Sequence, residues 1–354
     1  MKKSVLAALL LPAAYASAQV APPPTPAGPP TIPTNVSSIK AVPALPEGFD
    51  AVNASPQMLQ SVGLPPKPDQ TKDPKAYNSW KTMVKHAKRH VTASVTEQPN
   101  IVHKPAQLVK ALSETPAAAK NPTIAESYNW SGPTIYDANK PFATSYIVGY
   151  WMIPFAQQTF GAPDGTWDYS SQWVGIDGWG SGDVMQAGTE VDAYANGSAA
   201  YQFYSFWIEW YPFAESRVSN FPVGAGDTVM VEVWNTSPTN GYAFLENLST
   251  DRYTEFNLTA PSGTSLQGTS AEWIVERPSV GGSLARLTNY VGDAFAFAYA
   301  GGYDYQVVYY PGADYVPTGT VYSVYMLDNS SKLISYSELN SPTDIWFFDT
   351  GSAY

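Results

Sequence analysis

Cysteine does not occur anywhere in the 354 residues. No disulfide can staple the fold and no thiol can act as a nucleophile, so stability has to come from buried surface alone. Histidine is almost as scarce, with His86, His90 and His103 all in the N-terminal third. From residue 127 onward there is neither His nor Cys. That removes Ser-His-Asp and Cys-His catalysis and histidine-bound zinc from this part of the chain. Long apolar runs are missing too: no stretch beyond the N-terminal segment reaches the roughly 18–20 apolar residues of a spanning helix, and no membrane partner is expected. Basic residues are outnumbered, 19 Lys and Arg against 30 Asp and Glu, for a net charge of −11. No nucleic-acid partner is expected of such a chain. With 44% hydrophobic and 14% aromatic residues it can still fill a sizeable core.

The first residues, MKKSVLAALLLPAAYASAQV, have the layout of a secretory signal over residues 1–18. Lys2 and Lys3 precede the apolar run Val5–Leu11, and Ala16-Ser17-Ala18 stand before a cut at Gln19. The expectation is a secreted, extracellular protein. Residues 19–66 are rich in Pro, Ala and Ser without a period, and read as an extended or disordered linker. Asp73 as N-cap and Pro74 at the first helical position then open a helix expected over 73–92, with Tyr77, Trp80, Val84, Ala87 and Val91 on one face. From about residue 127 the texture changes to short, aromatic, alternating runs such as TSYIVGYWMIP and DTVMVEVWN, broken by Gly, Asn, Asp and Ser. This predicts an all-β domain over 127–354, a sandwich or barrel.

Charge divides at the same point. Residues 1–126 hold 13 of the 19 bases but 7 of the 30 acids. A basic leader, 19–126, joined to an acidic β-domain reads as a partly helical pro-segment docked by charge. It would be an intramolecular inhibitor shed when acid protonates the carboxylates, which places the working environment in acid. The bland alternative is a spacer that aids folding or attachment.

Three stretches carry candidate chemistry. In AEWIVERP, 271–278, Glu272, Ile274 and Glu276 share one strand face and Trp273 and Val275 the other. At the rise of a strand the two glutamates sit roughly 13 Å apart and cannot share a proton. Taken alone, this is most simply a half-exposed strand with its glutamates in solvent. In SQWVGIDGWGSGDVMQAGTEVDAY, 171–194, the Gln186 amide lies among apolar neighbours. It could offer two N–H groups to an oxyanion or simply satisfy a backbone group. Glu190 and Asp192 share a face, as in sandwich-type glycosidases, but Tyr194 stands where a third acid would be expected. In AYQFYSFWIEWYPFAE, 200–215, Trp207, Glu209 and Tyr211 point one way and Phe206, Ile208 and Trp210 the other. The first set would line a groove suited to a peptide or a sugar. A carbohydrate hydrolase using Glu276 with Glu190 or Glu209, and a carbohydrate- or peptide-binding module, are therefore the alternatives to a peptidase.

Six segments taken together resemble the eqolisins, the glutamic peptidases, in the same order along most of 127–354: SYNWSG (127–132), WVGIDG (173–178), MQAGTEVD (185–192), WIEWYP (207–212), LENLST (245–250) and AEWIVE (271–276). The resemblance implies a double-sheet antiparallel β-sandwich of the concanavalin or lectin-like jelly-roll kind, each sheet seven-stranded. It implies a secreted acid endopeptidase made as a zymogen, acting as a monomer on protein or peptide substrates, with neither cofactor nor metal. Carried over by motif, the catalytic pair falls on Gln186 and on Glu276, not Glu272, with the two partnered across the sandwich. Trp130, Trp173, Asp177, Glu190, Trp207, Glu209 and Tyr211 fall on substrate-binding or supporting positions. This chain departs from the usual pattern in lacking disulfides, in Ser205 and Glu190 where Asp is common, and in Arg277-Pro278 after the catalytic glutamate. The short signal, its two lysines and the missing cysteines fit a bacterial member.

Overall fold

The computed structural model describes residues 28–109, 122–139, 144–302, 308–312 and 319–351. The signal expected over 1–18 lies outside them. Period-2 alternation sorts each strand's side chains onto two faces. In Thr228–Ser237, Val229, Val231 and Val233 enter one core while Met230 and Trp234 enter another. In Ser270–Glu276, Ala271, Trp273 and Val275 join the valines, and Ile274 joins Trp130, Trp173 and Trp207. Two sheets thus share a middle core and each has an outer face of its own.

One sheet runs Thr320–Leu327, Trp130–Tyr136, Ser270–Glu276, Ser171–Ile176, Val184–Asn196, Ala199–Tyr211 and Ser216–Ser219. The other runs Leu333–Leu339, Ile345–Asp349, Gly292–Gly301, Tyr146–Met152, Thr228–Ser237, Asn240–Asn247 and Arg252–Thr259. All these neighbours are antiparallel, and Leu333–Leu339 also pairs with Thr320–Leu327, joining the layers. The fold is the double-sheet β-sandwich that the family resemblance implied, where the alternating runs alone left sandwich or barrel open. The first sheet carries the candidate site on its outer face.

The leader differs from its expected form. Asp73 does cap the helix, its Oδ1 accepting the Ala76 N–H at 2.9 Å, with Pro74 as the first residue. The helix ends at His86 rather than 92 because Ala87 leaves helical geometry and the chain turns into the short strand Arg89–His90. Val91 is tied to the sandwich instead, its N–H donating to the Tyr253 carbonyl at 2.8 Å. Residues 28–66 are not a loose linker. Ile39–Ala41 adds an antiparallel strand to the edge at Arg252–Thr259, and Leu59 is completely buried. Proline density hides these contacts because they come from strands and turns too short to set up a period.

Candidate active site

Gln186 lies in Val184–Asn196 and Glu276 ends Ser270–Glu276, and both strands flank Ser171–Ile176. Gln186 is opposite Gly175 and Glu276 is opposite Ser171. The pair therefore shares one sheet, with a strand between its members, and does not meet across the sandwich as expected. The inter-sheet core is filled mainly by apolar side chains, and Gln186 and Glu276 turn to the other face of their sheet. Gly188 allows the crowding there: a Cβ at this position would lie 2.6 Å from that of Trp173.

What brings Gln186 and Glu276 together is a residue of the leader. The Gln186 Nε2 donates to the carbonyl oxygen of His103 at 2.8 Å and to Glu209 Oε1 at 3.1 Å. The His103 backbone N–H donates to both Glu209 oxygens at 3.2 Å. Its ring is stacked on Trp207, centroids 3.8 Å apart and planes 8° from parallel. Nδ1 lies 3.3 Å from Glu276 Oε2, and Nε2 lies 3.1 Å from Glu190 Oε1 and 3.5 Å from Glu215 Oε2. Glu276 also accepts from Trp173 Nε1 at 2.9 Å and from Asn129 Nδ2 at 3.3 Å. Every one of these side chains is buried. The nearest ligand atoms of His103, Glu190 and Glu215 lie within 4.8 Å of one another, so this is also where a small cation could be held among the described residues.

Two opposing effects set the protonation. Burial alone would lower His103, but Glu190, Glu215 and Glu276 outweigh it and hold the imidazole well above its ordinary range. Burial pushes Glu276, Glu215 and Glu209 upward, and the charge of His103 pulls each of them back down. His103 is therefore a cation set among carboxylates, and the attraction exists while those carboxylates are ionised.

The other expected residues separate into groups. Trp207, Glu209 and Glu190 touch His103, and Trp173 touches Glu276. Trp130 meets the Trp173 ring edge-on at 4.9 Å, and Tyr211 packs at the margin of that cluster. Asp177 does not face the groove. With φ at 69°, it accepts the backbone N–H groups of Gln267, Gly268 and Thr269 at 2.6–2.9 Å and so pins a loop. Glu272 is fully buried, not solvated, and burial raises its carboxyl well above the ordinary range. Arg277 is also structural, donating to the carbonyls of Tyr128 and Leu327 at 2.6 and 3.2 Å.

His103, Asn129 and Glu215 were not expected here. Asn129 sits within SYNWSG, beside Trp130, and its polarity next to a buried tryptophan was a usable signal. Glu215 offered none, because only the pairing of Ser216–Ser219 with its neighbours brings it inward. His103 is the last histidine of the chain, yet its position 173 residues from Glu276 gave no hint of contact.

The Peptidase A4 family profile matches residues 128–333. The chain belongs to this family. Scytalidopepsin B of Scytalidium lignicola is 37% identical over 107 residues, 29% of this chain and 38% of that protein. Aspergillopepsin-2 of Aspergillus niger is 29% identical over 197 residues, 51% of this chain and 67% of that protein. Among solved structures, scytalido-glutamic peptidase with a transition state analog inhibitor aligns with a TM-score of 0.50 at 21% identity, over 63% of this chain and 98% of that one. This likeness shows the fold.

Proposed function

We propose that the chain is a secreted glutamic-type acid endopeptidase, a monomer made as a zymogen and activated at low pH. Glu276, ionised, takes a proton from a water that attacks the scissile carbonyl. Gln186 donates its amide to the oxygen on which negative charge develops, and Glu276 then returns the proton to the leaving amine. Trp173 and Asn129 hold the carboxyl in place, and Trp207, Glu209 and Glu190 hold the peptide. A carboxyl base remains ionised in moderately acidic solution, where a histidine would be fully protonated and useless as a base.

The observation carrying this reading is the grip on His103. The Gln186 amide holds a peptide carbonyl at 2.8 Å while Glu276 Oε2 faces the same residue at 3.3 Å. The leader thus lies in the groove as a peptide would, with an imidazole where the attacking water would have to stand. That arrangement inhibits instead of reacting, and it supports the pro-segment as an intramolecular inhibitor. No helix among the described residues is long and apolar enough to cross a membrane. The test is protein cleavage at pH 2–4 by the full-length chain, with loss expected in both Glu276→Gln and Gln186→Ala. Proteolysis surviving in Gln186→Ala would sink the mechanism, since a sandwich glycosidase scheme has no use for that amide.

A further inference from the structure

The leader touches the sandwich in two places that differ in kind. His103 and the residues after it, to Leu108, cover the groove, and Ile101–Val102 before them pairs with Ser279–Val280. Residues 28–97 are built into the body of the fold. Ile39 and Ala41, with Ala93 and Val95, belong to the same core as Val229 and Trp273. Ile39–Ala41 extends one sheet at Arg252–Thr259, and Ser94–Glu97 extends the other at Ser216–Ser219. Between these additions the helix Pro74–His86 lies on the outer face of the second sheet. It buries Trp80 and Met83 in a cluster with Met230, Phe244, Trp234 and Tyr253. Ser79 and Tyr150 are in hydrogen-bond contact, and the Tyr310 hydroxyl donates to Asp73 Oδ1 at 2.6 Å.

The titratable groups of this outer face have a distinctive arrangement. Register places Glu232, Phe244 and Glu255 in one row across three strands, and Met230, Glu246 and Tyr253 in the next. All three glutamates are buried and form no ion pair among the described residues. Gly63 of the leader sits directly on Glu255, where a Cβ would come within 2.6 Å of Oε1. Tyr150, Tyr242 and Tyr299 complete the sandwich side, and Asp251 lies at its margin facing His86 at 3.4 Å. Neutral carboxyls suit such an apolar cover and ionised ones do not, so acid tightens this contact. His90 is the exception: partly buried and bonded to the Val42 carbonyl at 3.0 Å, it gains charge in acid.

We infer that residues 28–97 remain bound to the sandwich after the leader is cut, as a second chain, and that only 98–109 has to leave for the groove to open. The inference rests on the zymogen reading only in requiring a cut between leader and domain. Two arms keep the two apart. Full-length wild-type chain is brought to pH 3, and full-length Glu276→Gln chain is nicked by added trypsin, whose sites after Lys110 and Lys120 fall between residues 28–97 and the sandwich. Both are then gel-filtered at pH 4 and the fractions weighed by mass spectrometry. Co-elution of an N-terminal fragment containing 28–97 with the sandwich fragment is expected in both arms. Trp80→Ala is expected to raise the dissociated fraction at least tenfold. A sandwich fragment that elutes alone and keeps its near-ultraviolet circular dichroism overturns the inference. Absence of cutting in the first arm counts against the endopeptidase, and the second arm still decides whether the leader stays.

Discussion

The groove and the outer face are both covered by the leader, yet they are covered by opposite chemistry. In the groove a cation is set among Glu190, Glu215 and Glu276, and attraction opposes the penalty of burial. On the outer face Glu232, Glu246 and Glu255 lie under the apolar face of the leader and pair with no cation among the described residues, and burial acts unopposed. Acid erodes the first kind of contact and favours the second. A leader held by charge alone would fall away as one piece. We propose for this one an acid-sensitive plug on an acid-tolerant frame, so that what it blocks and what it supports can be separated.

Variants can break that contrast. The largest effect is expected for Glu276→Gln, with proteolysis at pH 3 falling at least about a thousandfold while the thermal midpoint of the full chain does not fall. Trp80→Ala should do the reverse, lowering stability by about 3–5 kcal/mol in chemical denaturation and leaving the groove contacts in place. His103→Ala removes the plug without touching the frame. Self-cleavage at pH 5 is expected to rise at least tenfold over wild type, with the gap closing toward pH 3 as protonation of Glu215 weakens the hold on the imidazole. Equal rates for the two chains at pH 5 would show that the plug is not what blocks the site.

Glu246 tests the outer face by pH. Burial raises its carboxyl to about 9. A raised value stabilises the covered state below the ordinary range near 4.5, and that stability drains away as pH rises toward 9. The thermal midpoint of the full chain should therefore fall between pH 5 and pH 9. Glu246→Gln should flatten the fall by up to about 3 kcal/mol at pH 7 and change little at pH 4. A midpoint that rises over this range would contradict the apolar cover. The smallest effect is expected for Glu272→Gln, with proteolysis at pH 3 within about twofold of wild type, because that carboxyl meets neither His103 nor Gln186.

Alternation was enough to assign an all-β domain, the resemblance narrowed it to a sandwich, and alternation put Trp207 and Glu209 on the opposite side of their strand from Phe206 and Ile208. It could not say which outer faces are wet. Nothing in DTVMVEVWN shows that the face carrying Met230, Glu232 and Trp234 is interior; the leader helix packed on Met230 and Trp234 makes it so. The same limit hid the site's completion. Motifs marked Gln186 and Glu276, which belong to local strand patterns, but His103 and Glu215 enter through pairings between distant segments. The misplacement of the proposed catalytic pair has a similar origin: alternation gives the face of a strand and is silent on which strand lies beside it.

The added strands Ile39–Ala41 and Ser94–Glu97 bear also on the proposed work in acid. Each occupies a sheet edge that would otherwise offer unpaired N–H and C=O groups to any passing chain. As acid protonates the carboxylates, the repulsion that keeps an acidic protein dispersed weakens, and open edges become most prone to stick. A protease shedding its entire leader would bare two edges at that moment. A retained frame, as we infer, would make the leader a lifelong guard against strand-to-strand clumping, a chaperone that never departs.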